Sequence, residues 1–221
     1  MIDGRHPTVL LFGAPGVGKG TQGAILGKIP GFFHLSCGDV FRSLNIQSPE
    51  GREIYKYSSQ GKLVPDELTI RIWKKALQGH IAVSRYKPPY EFLVLDGIPR
   101  NPHQVELMSD SVNVLHVIHL DCSDAQAMID RIKRRAIKEN RADDANEEVI
   151  RTRFEIFQRE SEPVIRNYPA EIVSRIEASC SPTEVLLQIL TKLIPVQKRW
   201  QAMLDQDPEL HAEPEDSLFS V

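Results

Sequence analysis

The sequence of 221 residues has few cysteines, and none of them has the spacing of a metal site. Cys37, Cys122 and Cys180 are far apart, odd in number and form no CxxC pair. This excludes a disulfide framework and a cysteine-bound zinc, and we expect three reduced thiols. The seven histidines show no HxxxH or HExxH spacing, so the usual signatures of a histidine metal site are also missing.

Long apolar runs and an excess of positive charge are absent as well. No run approaches the roughly 18 apolar residues that a membrane-spanning helix needs, and the first five residues, MIDGR, lack the layout of a secretory signal. The formal net charge is -3, so any anion site must be a local concentration of Lys and Arg. We expect a cytoplasmic, monomeric protein that binds neither membranes nor nucleic acids.

Short apolar runs alternate with helical patterns along most of the chain. Runs typical of buried strands lie at 8–12, 92–95 and 114–120, with a weaker one at 171–176. Helices are predicted over 19–29, 66–77, 123–136, 146–166 and 182–204. This alternation predicts an α/β fold with a parallel sheet and helices on both faces, and an unrelated α+β fold is the alternative.

Two segments do not fit as plain connections within the main domain, 1–204, and a third segment follows that domain. Residues 36–65 are far longer than a normal connection between a strand and a helix, and their helical fragments predict a small inserted subdomain. Residues 135–144 are short, polar and charged, and are predicted to be a loop between two helices. Residues 205–221 carry six acidic residues and two prolines, which predicts a disordered tail.

A glycine-rich segment, GAPGVGKGT at 13–21, follows the first predicted strand and opens a helix. Glycines let backbone N–H groups approach phosphate oxygens, and the helix N-terminus adds unpaired N–H groups and a partial positive charge. Lys19 can bridge the β- and γ-phosphates of a nucleotide, and Thr21 can hold Mg2+ or a phosphate oxygen. The pattern predicts a nucleotide-binding phosphate loop; a turn that only permits tight packing is the alternative.

The glycine-rich segment and a second motif resemble those of the adenylate kinase family. Residues 13–22, GAPGVGKGTQ, match that family's phosphate loop, including the glycine between lysine and threonine. Residues 95–100, LDGIPR, followed by Gln104, resemble its Asp-Gly-(Phe/Tyr/Ile)-Pro-Arg signature, which has an amide residue four positions after the arginine. Shorter matches in family order extend the resemblance over about 8–190; they lie at 36–42, 61–67 and 141–144.

The resemblance implies a fold, a reaction and partners. The fold would be that of a P-loop NTPase, with three α/β/α layers and a five-stranded parallel sheet. An NMP-binding insertion over 36–65 and a short lid over 135–144, without zinc, would complete it. The reaction would be reversible transfer of the terminal phosphoryl group of Mg-ATP to AMP, giving two ADP. ATP and AMP would be the partners and Mg2+ the cofactor.

The resemblance also implies roles for individual residues. ATP would be bound by Gly16, Val17, Gly18, Lys19, Gly20, Thr21, Arg131 and Arg135. AMP would be bound by Ser36, Cys37, Arg42, Lys62, Leu63, Val64, Gly97, Arg100, Gln104, Arg141 and Arg153. The catalytic residues would be Lys19, Arg100, Arg131, Arg135, Arg141 and Arg153. The Mg2+ would be held by Asp96, through water, and by Thr21.

Phosphoryl transfer explains why no Ser-His-Asp set is expected. The acceptor phosphate is already an anion, so the reaction needs in-line positioning and neutralisation of crowded negative charge, for which the planar guanidinium fork is suited. Arg131 and Arg135 are four residues apart and share one helix face, although an ordinary solvated basic face is the alternative. Likewise, Asp96 has the alternative of a structural carboxylate and Gln104 that of an exposed helix residue.

Two departures from the family pattern leave alternatives open. Cys37 stands where adenylate kinases usually have Thr, and Asn101 follows the signature as in the related UMP/CMP kinases, whereas Gln104 favours AMP. The spacing before Arg153 is one residue longer than usual, so Arg151 is its rival. The predicted function is adenylate kinase, with a UMP/CMP kinase, a nucleotide-binding regulator without turnover and a P-loop hydrolase as alternatives.

Overall fold

The computed structural model describes residues 4–139 and 146–206. Five parallel strands form one sheet in the order β2-β3-β1-β4-β5. They are β1 His6–Phe12, β2 Phe32–Ser36, β3 Phe92–Asp96, β4 Val112–Asp121 and β5 Val173–Glu177. The four strands predicted from apolar runs correspond to β1, β3, β4 and β5, with shifts of one or two residues at their ends. The fifth strand that the family resemblance implies is β2.

Helices connect the strands, and eight α-helices lie in the described residues. They are α1 Lys19–Leu26, α2 Cys37–Ser43, α3 Pro49–Ser58, α4 Asp66–Ala82, α5 Pro102–Met108, α6 Ala125–Lys138, α7 Glu147–Ile156 and α8 Pro182–Asp205. The short α5 was not among the predicted helices. It begins at Asn101, whose side chain accepts a hydrogen bond from the Gln104 backbone N–H, with Pro102 in its first turn.

The single helix predicted over 146–166 is wrong beyond Ile156. There α7 ends, and a π-helical turn, Phe157–Ser161, and a 3-10 helix, Glu162–Asn167, follow. Pro163 explains the change, because it has no N–H to donate and its ring clashes with the preceding turn of an α-helix.

Alternate residues of the strands pack into two separate apolar cores. On one face of the sheet, Val9 and Leu11 of β1 pack in a core with α1 and α8. On the other face, Leu10 and Phe12 pack in a core with α4 and α5. Because successive side chains of a strand point to opposite faces, a strand covered on both sides must be apolar throughout. The predicted three-layer α/β/α fold is confirmed.

The segment 36–65 contains α2 and α3, which have a small core of their own. Ile54 of α3 packs there with Val64 and with Ile72 of α4, apart from the two cores of the sheet. This is the arrangement that an inserted subdomain would have, and the predicted division of the chain into 1–204 with this insertion stays a prediction.

Two other predicted segments lie largely outside the described residues. Of the predicted lid over 135–144, residues 140–144 are outside them, and so is the predicted tail beyond 206. In the part of the chain that is described, no helix is both long and apolar enough to cross a bilayer.

Candidate active site

The carboxyl ends of β1, β2 and β3 bring distant parts of the chain together. In the sheet register, Leu11 of β1 lies beside Asp96 of β3, and Asp96 lies beside Ser36 of β2. The phosphate loop, the start of α2 and the segment after Asp96 therefore meet at one edge. Ligands of open parallel sheets bind outside this edge, so it is the candidate site.

The turn from β1 to α1 has a backbone that requires glycine at two positions. Gly13 and Gly16 have φ angles of 139° and 81°. A Cβ on Gly13 would lie 2.3 Å from the carbonyl oxygen of Leu120, and one on Gly16 would lie 2.6 Å from that of Met128. The loop is thus packed directly against the end of β4 and against α6, which holds its N–H groups in place.

Lys19, the first residue of α1, reaches back across this loop. Its Nζ donates hydrogen bonds to the carbonyl oxygens of Gly13 at 2.8 Å and Ala14 at 3.0 Å. Burial is the main cause that lowers the pKa of Lys19 to about 8; Asp96 acts in the opposite direction, and nearby arginines lower the pKa further. The ammonium therefore lies among excess positive charge, which an anionic ligand would compensate.

The first of two adjoining cavities borders the phosphate loop, and most of the predicted site residues line one or both of them. Seven predicted site residues line the first cavity and not the second: Gly16, Gly18, Lys19, Gly20, Ser36, Asp96 and Arg135. The second cavity has a volume of about 420 Å³, and four predicted site residues line it and not the first: Cys37, Lys62, Val64 and Gln104. Predicted residues shared by both are Arg42, Leu63, Gly97, Arg100 and Arg153. Three guanidinium groups thus lie between the cavities.

Three predicted site residues are placed elsewhere, and a fourth lies outside the described residues. Val17 is buried in the core beneath the loop, and Thr21 is exposed on α1 and is not among the described residues that line either cavity. Arg131 is half-buried, and its Nη1 donates to the carbonyl oxygen of Ala178, beyond β5, at 3.1 Å. Arg141 lies outside the described residues. The roles of these four residues stay predictions.

Arg151 and Arg153 occupy different positions relative to the cavities. Arg153 lines both cavities, whereas Arg151 is exposed on α7. The N-cap of α7 is Asn146, whose side chain accepts from the Glu148 backbone N–H. The helix begins directly after this N-cap, and the side chain of Arg153, six residues beyond Glu147, faces the cavities.

Comparison with known proteins assigns this site to a family. The adenylate kinase family model matches residues 11–173. The adenylate kinase of Corynebacterium diphtheriae is 35% identical over 167 residues, which are 75% of this chain and 88% of that one. The adenylate kinase of Thermus thermophilus is 32% identical over 192 residues, covering 84% and 96%. The UMP-CMP kinase of Danio rerio is 34% identical over 192 residues, covering 84% and 95%.

The chain belongs to the adenylate kinase family. The predicted family and enzyme class, a nucleoside monophosphate kinase, are confirmed by the matches.

The arginines of this kinase that lie between the cavities are held by neighbouring groups. Arg42 donates from Nη2 to Asp39 Oδ1 at 2.5 Å, one turn earlier in α2. Arg100 donates from Nε to the carbonyl oxygen of Gly97 at 2.8 Å, and its own carbonyl oxygen accepts from Ser161 Oγ at 2.8 Å. Arg100, held in this way, lines both cavities.

The wall of the second cavity holds Cys37 and Gln104, the residues whose predicted roles concern the acceptor base. Cys37 is buried, and burial is the main cause that raises its pKa to about 12, so it is a neutral thiol. Gln104 is only 1% exposed, so the alternative of an exposed helix residue is wrong. Its Oε1 accepts from the Arg100 backbone N–H at 2.8 Å, and its Nε2 donates to Asp66 Oδ1 at 2.7 Å.

Asp66 contacts this site although the sequence assigned no role to it. It belongs to the matched motif 61–67 and begins α4. The carboxylate also accepts from Asn101 Nδ2, at 3.0 and 3.1 Å, and contacts His103 Nδ1 at 3.0 Å. The matched motif pointed to Asp66, but the residues that contact its carboxylate lie in the segment after β3 and could not be identified without the fold.

The donors near the phosphate loop suit Mg2+ better than a metal held entirely by protein. In 4–139 and 146–206, no three His, Cys, Asp or Glu side chains are grouped to hold a metal ion. The buried carboxylate of Asp96 lies beside the loop, with Oδ2 3.6 Å from the place a Cβ on Gly20 would take. Mg2+ prefers oxygen donors and often takes most of them from phosphates and water, so one carboxylate here fits the ion.

Proposed function

We propose that this kinase transfers the terminal phosphoryl group of ATP reversibly to AMP, giving two ADP, with Mg2+ bound to the nucleotide. The observation that carries the proposal is that Arg42, Arg100 and Arg153 line both of two adjoining cavities, the first of which begins at Lys19. Two nucleotides placed end to end would put their phosphates beside these shared cations. In-line transfer needs this positioning and this neutralisation of charge.

Each cavity has a distinct task in the proposal. The phosphate loop, Lys19 and Arg135 would bind the phosphates of ATP in the first cavity. Arg100 and Arg42 would bind the phosphate of AMP, with Arg42 exchanging its contact to Asp39 for a phosphate oxygen. When bound, Mg2+ would neutralise charge on the β- and γ-phosphates, with Asp96 holding one of its water ligands.

The acceptor base is proposed to be adenine. Gln104 lies in the wall of the second cavity, where its amide can bind the edge of a base. Asn101, the residue that resembles UMP/CMP kinases, instead caps α5 and binds Asp66, and it is not among the described residues lining either cavity. Its presence is therefore explained by local structure, which weakens the UMP/CMP alternative.

The remaining parts of the proposal concern the whole chain. The insertion over 36–65 and the lid over 135–144 would close over both nucleotides and exclude water, which would otherwise compete as the acceptor. The kinase would act as a cytoplasmic monomer without zinc, and would bind neither membranes nor nucleic acids.

An acceptor panel tests the proposed function. ATP and Mg2+ are mixed with AMP, UMP, CMP or GMP, and all nucleotides are quantified by chromatography. We expect the highest kcat/KM with AMP and formation of two ADP per turnover. Preference for UMP or CMP would establish the alternative acceptor, and phosphate release without an acceptor would indicate a hydrolase. ATP binding without turnover on any acceptor would indicate a regulator.

The two arginines of α7 provide a matched pair of variants. We expect Arg153→Ala to lower kcat by about 10²-fold or more, because it removes a cation between the two phosphate sites. Arg151→Ala removes the same charge from an exposed position and should leave kcat within about twofold of the wild type. Steady-state assays with AMP and ATP check both. A larger loss in Arg151→Ala than in Arg153→Ala would contradict the placement of α7.

The lowered pKa of Lys19 predicts proton uptake on binding ATP. Phosphates favour the charged ammonium, so ATP binding should raise this pKa from its value of about 8 in the free protein. At pH 7 the Lys19 amine is already protonated, whereas at pH 9 it must gain a proton when ATP binds. The affinity for ATP should therefore fall as the pH rises above 8. Calorimetry in buffers of different ionisation enthalpy should show uptake of about one proton only at pH 9. Equal uptake at both pH values, or uptake retained in Lys19→Met, would contradict this assignment.

A further inference from the structure

The carboxylate of Asp66 gathers side chains from the segment that follows β3. Oδ1 accepts from Gln104 Nε2 at 2.7 Å and from Asn101 Nδ2 at 3.0 Å, while Oδ2 accepts from Asn101 and contacts His103 Nδ1. The Gln104 contact joins residues 38 positions apart in the sequence. Partial burial acts to raise the pKa of Asp66, but the hydrogen bonds from Gln104, His103 and Asn101 together outweigh it and lower the pKa, so the group is a carboxylate at neutral pH.

The two contacts of the Gln104 amide determine which way round it lies. On one side the Arg100 backbone N–H donates to Oε1, and on the other side Asp66 accepts from Nε2. A backbone N–H can only donate and a carboxylate can only accept. Turning the amide over would place two donors against each other at Arg100 and two acceptors against each other at Asp66. The structure therefore allows a single orientation.

The fixed amide still has one N–H and one oxygen lone pair that are not used by these two contacts. A base matches this pair when it carries an amino group beside a ring nitrogen acceptor, as adenine and cytosine do. Hypoxanthine, guanine and uracil carry a carbonyl beside a ring N–H, and would require the amide to turn over. A site with fixed polar groups rejects a ligand that leaves those groups unpaired.

We propose that Asp66 is a positioning residue that fixes the Gln104 amide and thereby selects amino bases over oxo bases in the acceptor. This inference rests on the proposed function and extends it from a preference for AMP to the physical origin of that preference. Asp66 acts through Gln104, which touches the base.

The test compares AMP with IMP, which differ in the group at the purine 6-position, amino or oxo, and in whether the adjacent ring nitrogen accepts or donates a hydrogen bond. We expect wild-type kinase to prefer AMP. Asp66→Asn should lower the AMP to IMP ratio of kcat/KM by about tenfold, because its amide can donate to a turned Gln104 and leaves only the Arg100 backbone N–H opposing that orientation. The change should lie in the KM of the acceptor, with the KM of ATP unaltered. An equal loss for AMP and IMP would show a merely structural role and overturn the proposal.

His103→Ala is the matched control, because it removes a contact to the same carboxylate at an exposed position and leaves the Gln104 contact in place. Its AMP to IMP ratio should stay within about twofold of the wild type. A fall as large as that of Asp66→Asn would overturn the assignment to Gln104. A wild type that uses AMP and IMP equally would overturn this inference and leave the kinase function standing, whereas a wild type without transfer to any acceptor would end both.

A measurement on the wild type decides the question even if Asp66→Asn does not fold. The two side-chain N–H signals of Gln104 can be assigned in a 1H–15N spectrum by their absence from Gln104→Leu. One side-chain N–H of Gln104 donates to Asp66 both before and after the base binds, whereas the other is available to the base. AMP should therefore shift one signal strongly and the other little. Equal shifts of both signals would overturn the proposal.

Discussion

We expect Lys19→Met to fold like the wild type and to lose about 10² to 10³-fold in kcat, or about 3 to 4 kcal/mol of transition-state stabilisation. The substitution keeps the aliphatic stem and removes the ammonium that lies on the phosphate loop. Steady-state kinetics with ATP and AMP measures the loss. The melting temperature should not fall, because burial already disfavours the charged form of Lys19 in the free protein.

Lys28→Met is the control for that experiment. Lys28 is exposed just beyond the end of α1, so its loss removes the same charge without altering either cavity. It should retain activity within about twofold of the wild type. Near-normal turnover in a folded Lys19→Met variant would remove Lys19 from the reaction and, with it, the proposed ATP site.

The second large effect is expected at the acceptor phosphate. Arg100→Ala should raise the KM for AMP more than tenfold, because loss of a charge-assisted contact to phosphate exceeds about 1.4 kcal/mol. The variant keeps the backbone N–H that pairs with Gln104, so the base contact should survive. A titration of AMP at saturating ATP measures the effect, and the KM for ATP should change much less.

Arg134→Ala controls for the loss of one positive charge from the chain. Arg134 is exposed on α6 and donates to the Asp130 carbonyl oxygen. Its AMP titration should match the wild type. If both variants raised the KM for AMP equally, the effect would come from the overall charge and Arg100 would have no specific role.

Burial on both faces explains which strands the sequence reveals. The cores of β1 and β3 are apolar runs, and β4 has enough apolar residues over its ten positions to be predicted although it contains His116 and His119. In β2 the pattern is broken by His34, whose ring packs against α1; a Cβ on Gly23 would lie 2.2 Å from its Nε2. The histidine is accommodated by a glycine on a neighbouring helix. Such a tertiary contact cannot be predicted from the apolar periodicity of the strand.

The candidate site was predictable where its chemistry is local. The phosphate loop is one continuous segment, so its glycines and Lys19 could be assigned from the sequence. The contact of Asp66 with Gln104 could not, because it depends on the start of α4 lying beside the segment after β3. The position of Arg153 depended on where α7 begins, which a count of residues from the lid cannot give.

Ser161 connects the positions of Arg100 and Arg153. Its hydroxyl is anchored on the Arg100 carbonyl oxygen, and a π-helical turn connects it to α7, which carries Arg153. A π turn often marks a functional position in a helix, where the regular ladder is interrupted. Arg153 precedes Ser161 by eight residues, which is a distance of about 12 Å at the rise of an α-helix. A small tilt of α7 about that pivot would change the separation of two positive charges while the sheet stayed still.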